Sequence, residues 1–260
     1  MWILLMSDLR RYLVIVPFLY MAKTRLHCGR DYLYLMTSQW GLGTIVLFFL
    51  DSGNPFLALV NYLIGYFTFI SIYELGYLAN DLWDAKRSDG GRTRFTGGIN
   101  ITFLASFVTV RITVWLGLTA IFLKSDLQLW LVTNVVLIFV FAAHNMFKNS
   151  EIRYATFVQL TLLRFALPII FSLSTPEIEP IIILTLLHYL YFRGLAYLDS
   201  KKLLAMPNRK NPSFGFHHTI MILPIVVCIY AFTESSLYLA AWAYMTAIYG
   251  AFSLWSQRRK

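Results

Sequence analysis

PFLALVNYLIGYFTFISIYELGYLANDLWD, residues 55–84, sets an apolar run directly against an amide and two carboxylates. Pro55 to Ala79 exceeds the roughly 20 residues that a transmembrane helix needs, and Glu74 is its one charged residue. Asn80, Asp81 and Asp84 follow at its end. On a helix, residues three and four apart are neighbours, so these three side chains lean toward one point. Such an oxygen cluster suits a hard divalent cation. Mg2+ in particular is held by one or two carboxylates, several waters and the phosphate oxygens of a substrate. The stretch therefore predicts a membrane helix that carries Mg2+-assisted diphosphate chemistry, with Asp81 and Asp84 as metal ligands and Asn80 beside them.

The whole chain has the same character. Its 260 residues are 58% hydrophobic, 17% aromatic and only 13% charged, against about 25% charged in soluble domains. Apolar runs occur at Tyr32–Leu50, Pro55–Ala79, Ile99–Leu123, Leu127–Ala143, Tyr154–Leu173, Ile181–Leu198, Phe216–Phe232 and Leu237–Trp255. They predict an all-α, polytopic transmembrane bundle of 8–9 helices, counting the short N-terminal segment, and the polar residues gathered toward one end predict a central cavity opening to the cytoplasmic side. Residues 1–31 are expected to form an N-terminal interfacial segment, because Tyr12 to Ala22 is too short to span and is flanked by Arg10, Arg11, Lys23 and Arg25. A cleaved signal peptide fits poorly, since no basic residue precedes Met1 to Met6. Residues 32–260 read as one transmembrane domain.

The net charge of +9 orients this bundle and calls for no nucleic-acid partner. Lys86, Arg87, Arg92 and Arg94 share one loop, Lys148 and Arg153 another, and Lys201, Lys202, Arg209 and Lys210 a third. Both chain ends are basic as well, while the alternate loops carry Asp51, Asp126, Glu177, Glu179 and Glu234 with Lys124 alone. Cytoplasmic loops collect Lys and Arg, so the ends and the basic loops are expected inside a bacterial-type inner or cell membrane, with the active site facing the cytoplasm. Cys28 and Cys228 are too few for a disulfide framework.

A second acidic residue, Asp199, ends the sixth span as Asp81 ends the second. Gly76 and Gly194 each lie five residues before the aspartate, and Tyr73 and Tyr191 eight before it. Related halves of this kind bring equivalent helix ends together across a cavity. Gly90-Gly91 and Gly97-Gly98 would hinge the loop after Asp84.

Asn80, Asp81 and Asp84 after a second long span resemble the first aspartate-rich motif of the UbiA superfamily of intramembrane prenyltransferases. His144-Asn145-Met146-Phe147-Lys148, between spans four and five, resembles that family's basic motif. The resemblance implies an all-helical enzyme in which Asp81, Asp84 and Asp199 are catalytic and hold Mg2+ with Asn80, and in which Lys148 contacts the diphosphate of a prenyl donor. The acceptor is then a lipid or aromatic compound, and pyrophosphate is released. The chain departs from the family pattern in its second motif, where Asp199 is followed by Ser200, Lys201 and Lys202. Ser88 also stands where a third aspartate of the first motif belongs.

Several polar residues remain. Glu74 lies seven residues before Asp81, on nearly the same helix face, and a buried carboxylate needs a cation, for which Arg111, Arg164 and Arg193 are candidates. These arginines fit either a structural ion-pair network or substrate phosphate, and Glu74, Arg153 and Arg193 join Asn80 and Lys148 in the substrate-binding set. His188 reads as a cavity base or as a hydrogen-bonded core histidine. Arg92, Arg94, Lys201 and Lys202 would also serve a phosphoribosyl diphosphate donor, with transfer onto a polyprenyl phosphate. Cyclisation of a prenyl diphosphate is another enzyme reading. A small-molecule or ion transporter is the reading from a different class.

Overall fold

The computed structural model describes residues 13–85, 99–175, 177–207 and 211–257, apart from the side chains at 30, 52, 84, 85 and 212. Within these residues the chain is helical, with no strand. A short α1 (Leu19–Arg25) leads into α2 (Gly29–Tyr34), which continues through a π-helical turn (Leu35–Gly41), α3 (Leu42–Leu47) and a second π-helical turn (Phe48–Ser52). The long helices α4 (Pro55–Ala85), α5 (Ile101–Phe122), α6 (Leu127–Met146) and α7 (Ser150–Ser172) follow. After them come α8 (Ile178–Leu184), a third π-helical turn (Thr185–Leu190), α9 (Tyr191–Ser200), α10 (Pro212–Met221), α11 (Leu223–Thr233) and α12 (Ser236–Gln257).

Among the described residues, seven helical stretches are long and apolar enough to cross a membrane, and the count is eight if α10 and α11, bent by 40° where they meet, form one span. This is the multi-pass helical protein expected from the apolar runs. The bend falls just before Pro224, whose ring removes a backbone donor. Helix starts follow from short polar side chains. Asn54, Asn100, Asp126, Asn149 and Asn211 each accept hydrogen bonds from backbone N–H groups of the first turn that have no helical acceptor. Ile112, Leu116, Ile121, Val132, Val135, Ile138 and Phe139 of α5 and α6 are exposed, as lipid-facing positions require.

Between membrane helices the driving force is close packing, and glycines permit it here. A Cβ on Gly65 of α4 would stand 2.3 Å from the Pro168 carbonyl oxygen of α7, and one on Gly76 would enter the Phe141 ring of α6 at 2.6 Å. Pro168 has a further effect on α7. Lacking an N–H, it leaves the Arg164 carbonyl, four residues earlier, without its helical donor.

The described part of the N-terminal segment packs against the bundle. Tyr20, Met21, Ala22 and Thr24 are buried, and only one side of the segment, including Leu13, Val16 and Leu19, is exposed. Two ion pairs on α4 draw it inward. Glu74 accepts the backbone N–H of Phe18 at 3.0 Å and of Met21 at 2.6 Å, while Arg111 of α5 pairs with Glu74 at 2.5 Å and donates to the carbonyls of Val14 and Ile15. Charges at this depth are stable only when they satisfy one another. The first turn of α1, whose N–H groups have no helical acceptor, supplies donors for Glu74. Phe18 takes a left-handed conformation (φ 78°), a costly state for an aromatic residue, and its N–H bond to Glu74 holds it there.

Candidate functional site

Asp81 sits near the end of α4 and is buried. Its carboxylate receives Arg25 in a two-pronged pair, at 2.8 and 3.2 Å, and the Tyr20 hydroxyl at 2.7 Å. Burial first, and then the Asp81 charge, hold the Tyr20 phenol above its ordinary value, so it stays protonated and donates. Arg25 also lies over the Tyr77 ring, 4.6 Å from its centre. Tyr20 and Arg25 both come from α1, the segment that the sequence assigns to the membrane surface.

Arg25 links this carboxylate to a cavity of about 1150 Å3. The cavity lies among α2 and the π-helical turn that follows it, the first half of α9, the N-terminal end of α10 and the C-terminal half of α12. Its polar lining includes Arg25, Asp31, Ser38, Gln39, Arg164, Tyr189 and Arg193. Asp31 accepts the backbone N–H groups of His27 and Cys28, which caps α2. Among the described residues neither Arg164 nor Arg193 forms an ion pair.

Arg164 is the unusual group, a guanidinium only 4% exposed whose partners are all neutral. Its Nε donates to Gln39 Oε1 at 3.2 Å, Nη1 to the Tyr77 hydroxyl at 3.0 Å and Nη2 to the Met21 sulfur at 3.4 Å. The Tyr73 ring lies 5.7 Å from its carbon. A guanidinium has five N–H donors and a thioether is a weak acceptor, so two donors and part of a third remain for something in the cavity. A lone buried cation in a membrane bundle is costly, and an anionic ligand would balance it. Arg193 stands over the Tyr189 ring at 5.9 Å, on the wall of the same cavity.

The remaining expected site residues divide. Glu74 is engaged by Arg111 and the α1 backbone, away from the cavity lining; of its three candidate partners the structure selects Arg111. Asp199, half-buried near the end of α9, and Asn80, half-buried on α4, are not among the cavity-lining residues. Lys148 and Lys202 are exposed, and Arg153 is half-buried in the first turn of α7; none of them lines the cavity. Arg92 and Arg94, like the side chain of Asp84, lie outside the described residues. His188 is fully buried with neither ring nitrogen hydrogen-bonded, and it is not among the cavity-lining residues.

No three His, Cys, Asp or Glu side chains come together as a metal site among the described residues. The Asp81 oxygens already take two guanidinium contacts and a phenol. As arranged, then, the described residues do not assemble a divalent-metal site.

Tyr20, Arg25, Gln39, Tyr77 and Tyr189 are the site residues that the sequence reading omits. Tyr77 had a signal: Tyr62, Tyr66, Phe69, Tyr73 and Tyr77 recur at helical spacing on α4, a stripe with polar tips on one face. Gln39 and Tyr189 had none, because each sits in a π-helical turn that alters the register. Comparison of the chain with family models, curated proteins and solved structures finds no match.

Proposed function

We propose that this protein is an intramembrane transferase that takes a diphosphate-bearing prenyl donor and passes its hydrocarbon group to a lipid or aromatic acceptor. The observation that carries this reading is Arg164, a buried guanidinium with neutral partners only, facing a cavity that Arg193 and Arg25 also line. Guanidinium forks match phosphate oxygens in geometry as well as charge. A surrounding bundle of apolar helices suits the tail of such a donor. The resemblance of Asn80, Asp81 and Asp84 to the UbiA motif supports the same chemistry.

In the proposed reaction the allylic C–O bond breaks, with its electron pair leaving on the diphosphate. Arg164 and Arg193 receive that growing negative charge as fixed cations already aimed at the leaving group. The acceptor forms its bond to the prenyl carbon and loses a proton. Tyr77 and Tyr189 offer ring faces beside the arginines, and the Asp81 carboxylate keeps Arg25 at the cavity edge. Mg2+ is part of this proposal through the N-D-x-x-D pattern alone, and its requirement is a matter for the assay.

The test is incubation of the purified protein with labelled prenyl diphosphates of several lengths and with phosphoribosyl diphosphate, each with and without Mg2+ and with lipid or aromatic acceptors. Release of pyrophosphate from a prenyl donor supports the reading. Release from the phosphoribosyl donor alone replaces it with phosphoribosyl transfer onto a polyprenyl phosphate. Uptake of an unchanged compound into vesicles would make the protein a transporter.

A further inference from the structure

Gln39 and Arg164 are joined twice. The Gln39 side-chain amide donates to the Arg164 carbonyl at 3.2 Å, and its oxygen accepts from Arg164 Nε at 3.2 Å and from the Tyr189 hydroxyl at 3.3 Å. The first bond fills the acceptor that Pro168 leaves open on α7. The second fixes the direction of the guanidinium. Gln39 and Tyr189 are presented by π-helical turns that pack against each other, and insertions of this kind cluster at functional sites. Gln39 is fully buried and Tyr189 nearly so, so water does not share these contacts.

A carboxylate in place of the Gln39 amide would accept the same two hydrogen bonds and neutralise Arg164. The amide orients the cation and leaves its charge intact. We propose that Gln39 is the residue that sets the charge selectivity of the cavity: it holds Arg164 in a neutral cradle so that, together with Arg193, it takes a multiply charged phosphate group in preference to a singly charged one. This inference rests on the reading of the cavity as a diphosphate site and names the determinant of that specificity. Gln39 is a positioning residue, acting through Arg164.

The experiment measures the affinity of the full-length protein in lipid nanodiscs for inorganic pyrophosphate by calorimetry, across a range of ionic strength, for the wild type, Gln39→Glu and Gln39→Leu. Gln39→Glu is expected to weaken binding by roughly 30-fold or more, the usual scale for an altered buried charge pair, and to flatten its salt dependence. Gln39→Leu removes all three side-chain hydrogen bonds without adding charge, so its loss is expected to be several-fold smaller. Thermal melting of each variant establishes that it is folded. Wild-type affinity in Gln39→Glu overturns the inference, as does a loss in Gln39→Leu equal to that in Gln39→Glu, which is the signature of a structural role. A wild type that binds no pyrophosphate overturns it together with the anion site. A wild type that binds pyrophosphate but transfers no prenyl group removes the proposed reaction alone.

Discussion

Replacing Arg25 by Gln tests the contact that ties α1 to Asp81. The pair is 2.8 Å long, with the Asp81 side chain 3% exposed and that of Arg25 18% exposed. At an effective dielectric of about 20 two charges at this distance attract by about 6 kcal/mol. Desolvation offsets part of that, and removing one partner of a buried pair costs about 3–5 kcal/mol because the other charge is stranded. Tyr20 still donates to Asp81 in the variant, which places the expected loss near the lower figure. For a chain of this size that corresponds to a drop of roughly 6–12 °C in melting temperature. Asp81→Asn should cost much less, about 1 kcal/mol, because the more exposed Arg25 reaches the cavity and keeps its contact with the Tyr77 ring. The double variant Arg25→Gln/Asp81→Asn should then melt close to Asp81→Asn, not at the sum of the two losses. Thermal unfolding in nanodiscs reads all four proteins. Additive losses, or an Arg25→Gln protein as stable as wild type, would refute the ion pair.

Four further outcomes are expected. Glu74→Gln strands Arg111 and weakens the docking of α1, so limited trypsin digestion should cut after Lys23 or Arg25 much faster than in the wild type. Gly65→Ala drives a methyl against the Pro168 carbonyl and should cost about 1–3 kcal/mol in a melting experiment, whereas Gly117→Ala, where a Cβ meets nothing, should leave the melting curve in place. Tyr20→Phe removes a hydrogen bond to a charged acceptor, worth about 1.5–3 kcal/mol. Because the Tyr20 phenol is raised above its ordinary value of 10.0, that contribution is fully present below about pH 10 and fades only as the pH climbs beyond it; urea unfolding at several pH values measures this. In a Cys228→Ser background, Cys28, exposed and lining the cavity, should react with a membrane-impermeant maleimide from the side that carries the basic loops, and pyrophosphate should slow the reaction.

The spans were legible because lipid imposes a simple rule: apolar runs of sufficient length, punctuated by Asn, Asp and Pro. Tyr32–Leu50 and Leu127–Ala143 became helices of nearly those bounds, and the helix break before Pro224 is the kind of departure that a proline forecasts. Within the site, Arg164 and Arg193 were visible as charges in apolar surroundings. Their roles were not, since a partner distant in sequence decides whether an arginine closes an ion pair, as Arg111 does with Glu74, or stays open toward a cavity. The α1 segment shows the limit most clearly. Its apolar run is too short to span, and Glu74 and Asp81 on α4 hold it through two backbone N–H groups, Tyr20 and Arg25. Hydropathy has no means of registering such a capture. Asp81 and Asp84 were expected to meet from their spacing and Asp199 to join them from the likeness of the two halves; the side chain of Asp84 lies outside the described residues.

The most direct test of the arginine-lined cavity as the seat of chemistry is pyrophosphate release from the preferred prenyl diphosphate by the wild type and by Arg164→Met, with melting temperatures recorded alongside. Methionine keeps much of the side-chain volume and removes the charge, so the variant should fold and its turnover should fall by about 100-fold or more, the scale seen when a single transition-state donor is lost. A folded Arg164→Met protein that releases pyrophosphate at the wild-type rate would contradict the account.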